Sequence, residues 1–293
     1  MKDAVRLLAY FAATILIGAL IAPLLFWAAQ WLVGHGWFAF LANFDFETFF
    51  HRALLIAAVA LIWPFLRMSK IRSMTDLGLA RNPHWSRDLL AGIALAAIPL
   101  LCCGGLIVAL HVYSWRHVFG WSALGKTMIA SMAVPLIEEA LFRGLVLGVL
   151  LRTGRQYLSI FATSALFAVV HFLKAPERTS TIVTWTSGFN SIAHSFAQFA
   201  DPMLVGAAFT TLFLIGWILA DARVRTRSLW LPIGLHAGWI FANGAFNALA
   251  RREMVALPWL GKNLLVGLVP LGVGALTWLM IYFWLKHDRA RQV

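Results

Sequence analysis

Apolar residues run through this chain in long unbroken stretches separated by short polar connectors, rather than alternating every second residue. The stretches lie at roughly 7–33, 51–66, 88–112, 122–151, 156–174, 202–220, 229–249 and 263–285, each near the ~20 residues that cross a hydrocarbon core. They predict an all-α, polytopic membrane protein of about eight transmembrane helices. No repeat, low-complexity tract or soluble segment interrupts them, so a single transmembrane domain over 1–293 is expected. The two longest connectors are 67–87, with the turn-prone Arg81-Asn82-Pro83, and 175–201, rich in Ser and Thr. The second also carries Ile182, Val183, Trp185, Phe189, Ile192 and Phe196, which predicts a short amphipathic segment on the membrane or a lid.

Composition excludes a water-soluble domain: 61% of residues are hydrophobic, 12% are charged, and mean hydropathy is +0.80. The net charge of +12 raises nucleic acid as a partner, but the Lys and Arg residues are scattered over connectors without forming a patch or stripe. They read as topology. Alternate connectors hold fifteen basic residues on one side and eight on the other, Arg143 within a span being the last of the 24. By the positive-inside rule both termini are cytoplasmic. The segment Met1-Lys2-Asp3-Ala4-Val5-Arg6 resembles a signal-peptide start, but the long apolar run after it predicts a retained first helix. The two cysteines, Cys102 and Cys103, are adjacent and precede Gly104-Gly105, which predicts small-residue helix packing rather than a disulfide.

Against this background, Glu138-Glu139-Ala140-Leu141-Phe142-Arg143 stands out. Each ionisable group at the middle of a spanning helix costs roughly 2.5–3.5 kcal/mol on insertion scales, so three within six residues demand partners and a reason. Glu139 and Arg143, four apart, share a helix face in the favourable order and neutralise each other. Glu138 points about 100° away from Glu139 and is poorly placed for that arginine. A carboxylate left in apolar surroundings suits a general base, so Glu138 is assigned that role and Glu139 the structural one. Pro135 ahead of the pair predicts a kink.

Two histidines lie on later spans. In Phe167-Ala168-Val169-Val170-His171, His171 stands about 24 Å beyond the connector at 152–155, and Glu138 about 21 Å before it, at 1.5 Å per residue. Antiparallel packing would bring them to one depth. In the segment 234–243, Gly234 and Gly238 permit close helix approach on one side and leave His236 to face a cavity on the other. Asn243 shares the face of His236, and Asn247 follows one turn later. There is no HExxH, no GxSxG and no phosphate-binding glycine loop.

EExxxR, FxxxH and a later intramembrane histidine, in that order, resemble the type II CAAX prenyl protease family, whose bacterial members are grouped as CPBP (CAAX protease and bacteriocin-processing) intramembrane proteases. The resemblance covers 122–250, and EExxxR is its specific part. It implies a cavity between the fourth, fifth and seventh helices. Glu138 and His171 would activate water there, with Glu139 and Arg143 beside them, and His236 would stabilise the oxyanion. The family places an asparagine four residues after that histidine. Ile240 stands there in this chain, and Asn243 is the nearest amide to take its place.

The expected function is therefore hydrolysis of a peptide bond in a peptide or membrane-tethered protein by an integral protein of the bacterial inner membrane. The bilayer is the partner surface, and nucleic acid has no part. Glu138, His171 and His236 would also supply the three ligands of a catalytic zinc, so metal-dependent and metal-free glutamate catalysis both stand. Two further readings come from other classes. One is a non-enzymatic scaffold or regulator, favoured by Ile240; the other is a proton-coupled transporter, since buried Glu and His also relay protons.

Overall fold

The computed structural model describes residues 2–118, 120–172, 182–196, 202–253, 259–260, 264–265 and 267–290. In chain order its elements are α1 (Lys2–Gly34), α2 (Phe46–Met68), α3 (Trp85–Ala109), β1 (Tyr113–Trp115), α4 (Trp121–Glu139), a π-helical segment (Ala140–Val146) and α5 (Leu147–Leu151). There follow α6 (Gln156–Phe172), α7 (Ser187–Phe196), α8 (Pro202–Thr226), α9 (Trp230–Leu249), β2 (Ala250–Arg252) and α10 (Leu268–Ala290). A helix thus occupies each apolar stretch. Among the described residues, the one departure from an all-α chain is a two-stranded antiparallel pairing of β1 with β2, in the register Tyr113 with Arg252, Ser114 with Arg251 and Trp115 with Ala250.

Five of the described helices are long and apolar enough to cross a membrane: Lys2–Gly34, Phe46–Met68, Trp85–Ala109, Val205–Thr226 and Leu268–His287. Gln156–His171 is apolar but shorter. The other two expected spans, 122–151 and 229–249, fall outside this set. Their helices carry Lys126, Glu138 and Glu139 in one case and His236, Asn243 and Asn247 in the other, so the helices that bear chemistry are the ones that hydropathy undervalues. Large apolar side chains lie exposed along most of the long helices, among them Leu8, Ile56, Leu90, Ile129, Met132 and Phe283. In water such a surface would drive aggregation; against lipid it is the expected exterior. The chain is an integral membrane protein.

The chain forms two compact units, Met1–Ser73 with Val169–Asp201, and Met74–Ala168 with Pro202–Val293. Hydropathy shows no sign of this division. In the first unit, α1 and α2 pack together through Ala19, Ala22, Phe46, Phe50 and Ala53. Gly18 permits the approach, because a Cβ there would lie 2.9 Å from the Cα of Leu54. Asp45 caps α2 by accepting from the backbone N–H of Thr48 at 3.4 Å.

The segment 182–196 joins the first unit, and the rest of the 175–201 connector lies outside the described residues. Its helix α7 buries Ser187, Gly188, Ser191 and Ser195 and exposes Phe189 and Phe196, while Ile182 and Trp185 just before it are exposed too. Ile192 is partly buried and packs on the core of this unit with Val183, while Asn190 and His194 are exposed beside the two phenylalanines.

In the second unit α3 lies along α9, and α4 packs on α9 from another side. The predicted close approach at Gly234 and Gly238 is made to α3. A Cβ on Gly238 would sit 2.6 Å from the carbonyl oxygen of Ile93, and one on Gly92 would sit 2.6 Å from that of Leu231. These contacts leave no room for a side chain. The expected turn at Arg81-Asn82-Pro83 is tied to the start of α9, where Asn82 donates to Asp88 at 2.7 Å and to Ser228 at 3.1 Å.

Candidate active site

Packing α9 against α3 by its glycine side leaves His236 on another side of the helix, where it meets the acidic pair of α4. Nδ1 of His236 lies 2.8 Å from Oε1 of Glu139, and Nε2 lies 3.8 Å from Oε2 of Glu138. Glu139 has no solvent exposure, and the same Oε1 accepts from Nη1 of Arg143 at 2.9 Å. Arg143 is equally buried. Its Nη2 donates to the carbonyl of Gly216 on α8 at 3.2 Å, and its guanidinium lies 4.4 Å from the centroid of the Phe167 ring. Phe167 in turn meets Phe142 and His236 edge-on, with ring centroids 5.2 Å and 6.1 Å apart. Buried charge is therefore neutralised by a continuous row, Arg143 to Glu139 to His236, walled by aromatic rings.

A carboxylate that already holds an arginine only accepts, so Nδ1 of His236 is the donor in its bond to Glu139. That assignment fixes the other nitrogen. In the neutral ring Nε2 is an acceptor, and it donates only when the imidazole is protonated. The two glutamates differ in their surroundings. Glu139 is sealed in the row, whereas the Glu138 side chain retains 28% of its exposure and faces Nε2. The sequence reading anticipated the bond from Glu139 to Arg143 but missed the one from Glu139 to His236, because 97 residues separate the partners and no local pattern encodes them.

The loosening expected at Pro135 lies a little later. Pro135 is buried within α4, and the helix changes type at Ala140–Val146, where a π segment begins directly after Glu139 and contains Arg143. Such wide turns collect at functional sites, where they re-aim side chains. Here the π segment starts where Arg143 must fold back onto Glu139.

His171 lies half-buried one turn beyond Phe167, in the last turn of α6. Asn243 is partly buried on α9, which runs unbroken from Trp230 to Leu249, so Asn243 stands about 10 Å beyond His236 along the helix axis. Its Oδ1 is buried and has no hydrogen-bond partner among the described residues. Among the described residues no group of three His, Cys, Asp or Glu side chains is placed to hold a metal ion.

Residues 119–242 match the type II CAAX prenyl endopeptidase family, Rce1-like. Over this segment the chain is similar to that family. The match spans Glu138, Glu139, Arg143, His171 and His236 and stops one residue short of Asn243. No curated protein and no solved structure matches the chain. The Rce1-like family is one of proteases, so the acid–histidine arrangement is to be judged by what peptide hydrolysis requires: a base for water and a donor for the oxyanion.

Proposed function

We propose that the chain is an intramembrane endopeptidase that hydrolyses a peptide bond in a peptide or membrane-tethered protein. The observation that carries this reading is the placement of His236 between the two glutamates, with Nδ1 bonded to buried Glu139 and Nε2 facing the more accessible Glu138. Glu138 takes a proton from water, and the oxygen of that water attacks the scissile carbonyl carbon. The carbonyl oxygen becomes an oxyanion, which accepts a hydrogen bond from Nε2 of protonated His236. Collapse breaks the C–N bond, and Glu138 returns its proton to the leaving amine. We assign His171 to orienting the water on the family resemblance alone.

Glu139 and Arg143 act through His236. By fixing Nδ1 as the donor they aim Nε2, as the aspartate of a serine-protease triad aims its histidine. We place the chain in a bacterial inner membrane with eight spans and cytoplasmic termini, on the charge asymmetry of its connectors. The decisive experiment is cleavage of a defined peptide by the purified protein in lipid, with Glu138→Ala alongside. A wild type with no activity above that variant would remove the proposal.

A second reading, a non-enzymatic scaffold of the same family, draws on one observation. Ile240 stands where the family resemblance calls for asparagine, and the straight course of α9 leaves Asn243 about 10 Å from His236 along the axis. Oxyanion stabilisation then rests on His236 alone. The same cleavage assay separates the two readings.

A further inference from the structure

At the opposite end of α9 from Trp230, a depression of about 420 Å³ is lined by Tyr113, Arg116, Asn247, Ala250, Arg251 and Arg252. It lies where β1 pairs with β2, so residues from two distant connectors meet there. Three arginines surround it, and Glu253, which accepts from Ser114 and from Nε of Arg251 at 2.9 Å, offsets one of them. Nε of Arg116 donates to the carbonyls of Asn247 at 3.3 Å and Ala250 at 3.1 Å. The Nη groups of Arg116 and Arg251 make no hydrogen bond among the described residues. Those bonds hold the arginines in place around the opening while leaving donors to spare.

The observation that points to a ligand is Tyr113. Only 2% of its surface is exposed, yet its hydroxyl has no hydrogen-bond partner among the described residues. Its ring packs on Phe246 at 5.1 Å, and the residue lines the basic depression, so its buried hydroxyl lies beside that opening. Burial pushes the Tyr113 hydroxyl to titrate above its ordinary value, and the charge of Arg252 pulls the other way, which places that guanidinium within electrostatic reach of it. A buried O–H without an acceptor is costly in a protein interior, and an anion in the depression would supply one.

Trp115 and Trp121, both exposed, flank this end of the helices, which is the position of an aromatic belt at the edge of a bilayer. We propose that Tyr113, Arg116, Arg251 and Arg252 form a binding site for the phosphate of an anionic phospholipid headgroup. Arginine forks match phosphate oxygens in pairs, and the tyrosine hydroxyl completes the shell. The site also accounts for arginines on the side of the membrane that the connector charges assign to the exterior, where topology alone disfavours them. It is independent of the catalytic reading.

The test titrates the purified full chain in neutral detergent with short-chain phosphatidylglycerol, with phosphatidylcholine of the same acyl chains, and with inorganic phosphate, following bound species by native mass spectrometry. Phosphatidylglycerol should bind in preference to phosphatidylcholine. Tyr113→Phe and Arg252→Gln should each weaken it about tenfold or more, the usual effect of losing a hydrogen bond to a charged group. Arg155→Gln, an exposed charge in the connector between α5 and α6, should leave it unchanged. Tyr113→Phe removes only an oxygen without a partner, so it tests the site even where Arg252→Gln disturbs β2. Equal binding of the two lipids, or wild-type affinity in Tyr113→Phe, would overturn the proposal. So would binding of inorganic phosphate by the same residues with no preference for phosphatidylglycerol, which would make the ligand a soluble phosphate.

Discussion

His236 donates from Nδ1 to Glu139 at 2.8 Å, across 97 residues of chain, and this bond decides what its other nitrogen can do. Replacing Glu139 therefore has two separable effects. Glu139→Ala leaves Arg143 as a buried charge without its carboxylate, a change that typically costs 3–5 kcal/mol, and thermal denaturation in detergent should show a large loss of stability or yield. Glu139→Gln keeps the shape but removes the carboxylate charge that steadies the protonated His236, so cleavage should fall by more than the change in melting temperature explains. Full activity in a stable Glu139→Gln protein would mean that Glu139 only balances charge.

Glu138→Gln should lower the hydrolysis rate by about 10²–10⁴-fold, the usual contribution of a general base, while melting temperature stays close to wild type because this side chain is only partly buried. His171→Ala should also reduce turnover strongly. Near-normal cleavage by Glu138→Gln would show that another group activates water.

Asn243→Ala should change the cleavage rate less than about threefold, because an unbroken α9 carries this amide about 10 Å past His236. A loss of about 10²-fold, the size expected for an oxyanion donor, would instead restore Asn243 to the site.

Gly238→Leu should destabilise the second unit by about 1–3 kcal/mol or prevent its folding, since even a Cβ would lie 2.6 Å from the carbonyl of Ile93. Gly125→Leu, at an open position on α4, should be tolerated. Equal melting temperatures for the two variants would show that α3 and α9 are not in close contact.

What the sequence by itself determined was local or periodic. Apolar runs placed a helix in each expected stretch because a bilayer leaves the backbone few other options. Four-residue spacing paired Glu139 with Arg143, and Gly234 with Gly238 marked the side of α9 that approaches a neighbour closely. Tertiary structure decided the rest, because the partners are far apart in the chain. It chose α3 as the helix that fills the glycine groove and brought His236 onto Glu139. It also joined Tyr113 to Arg252 in a strand pair that neither connector signals alone. The π segment at Ala140–Val146 belongs to the same class: one wider turn leaves hydropathy unchanged, and only the demands of two buried partners on Arg143 make it visible.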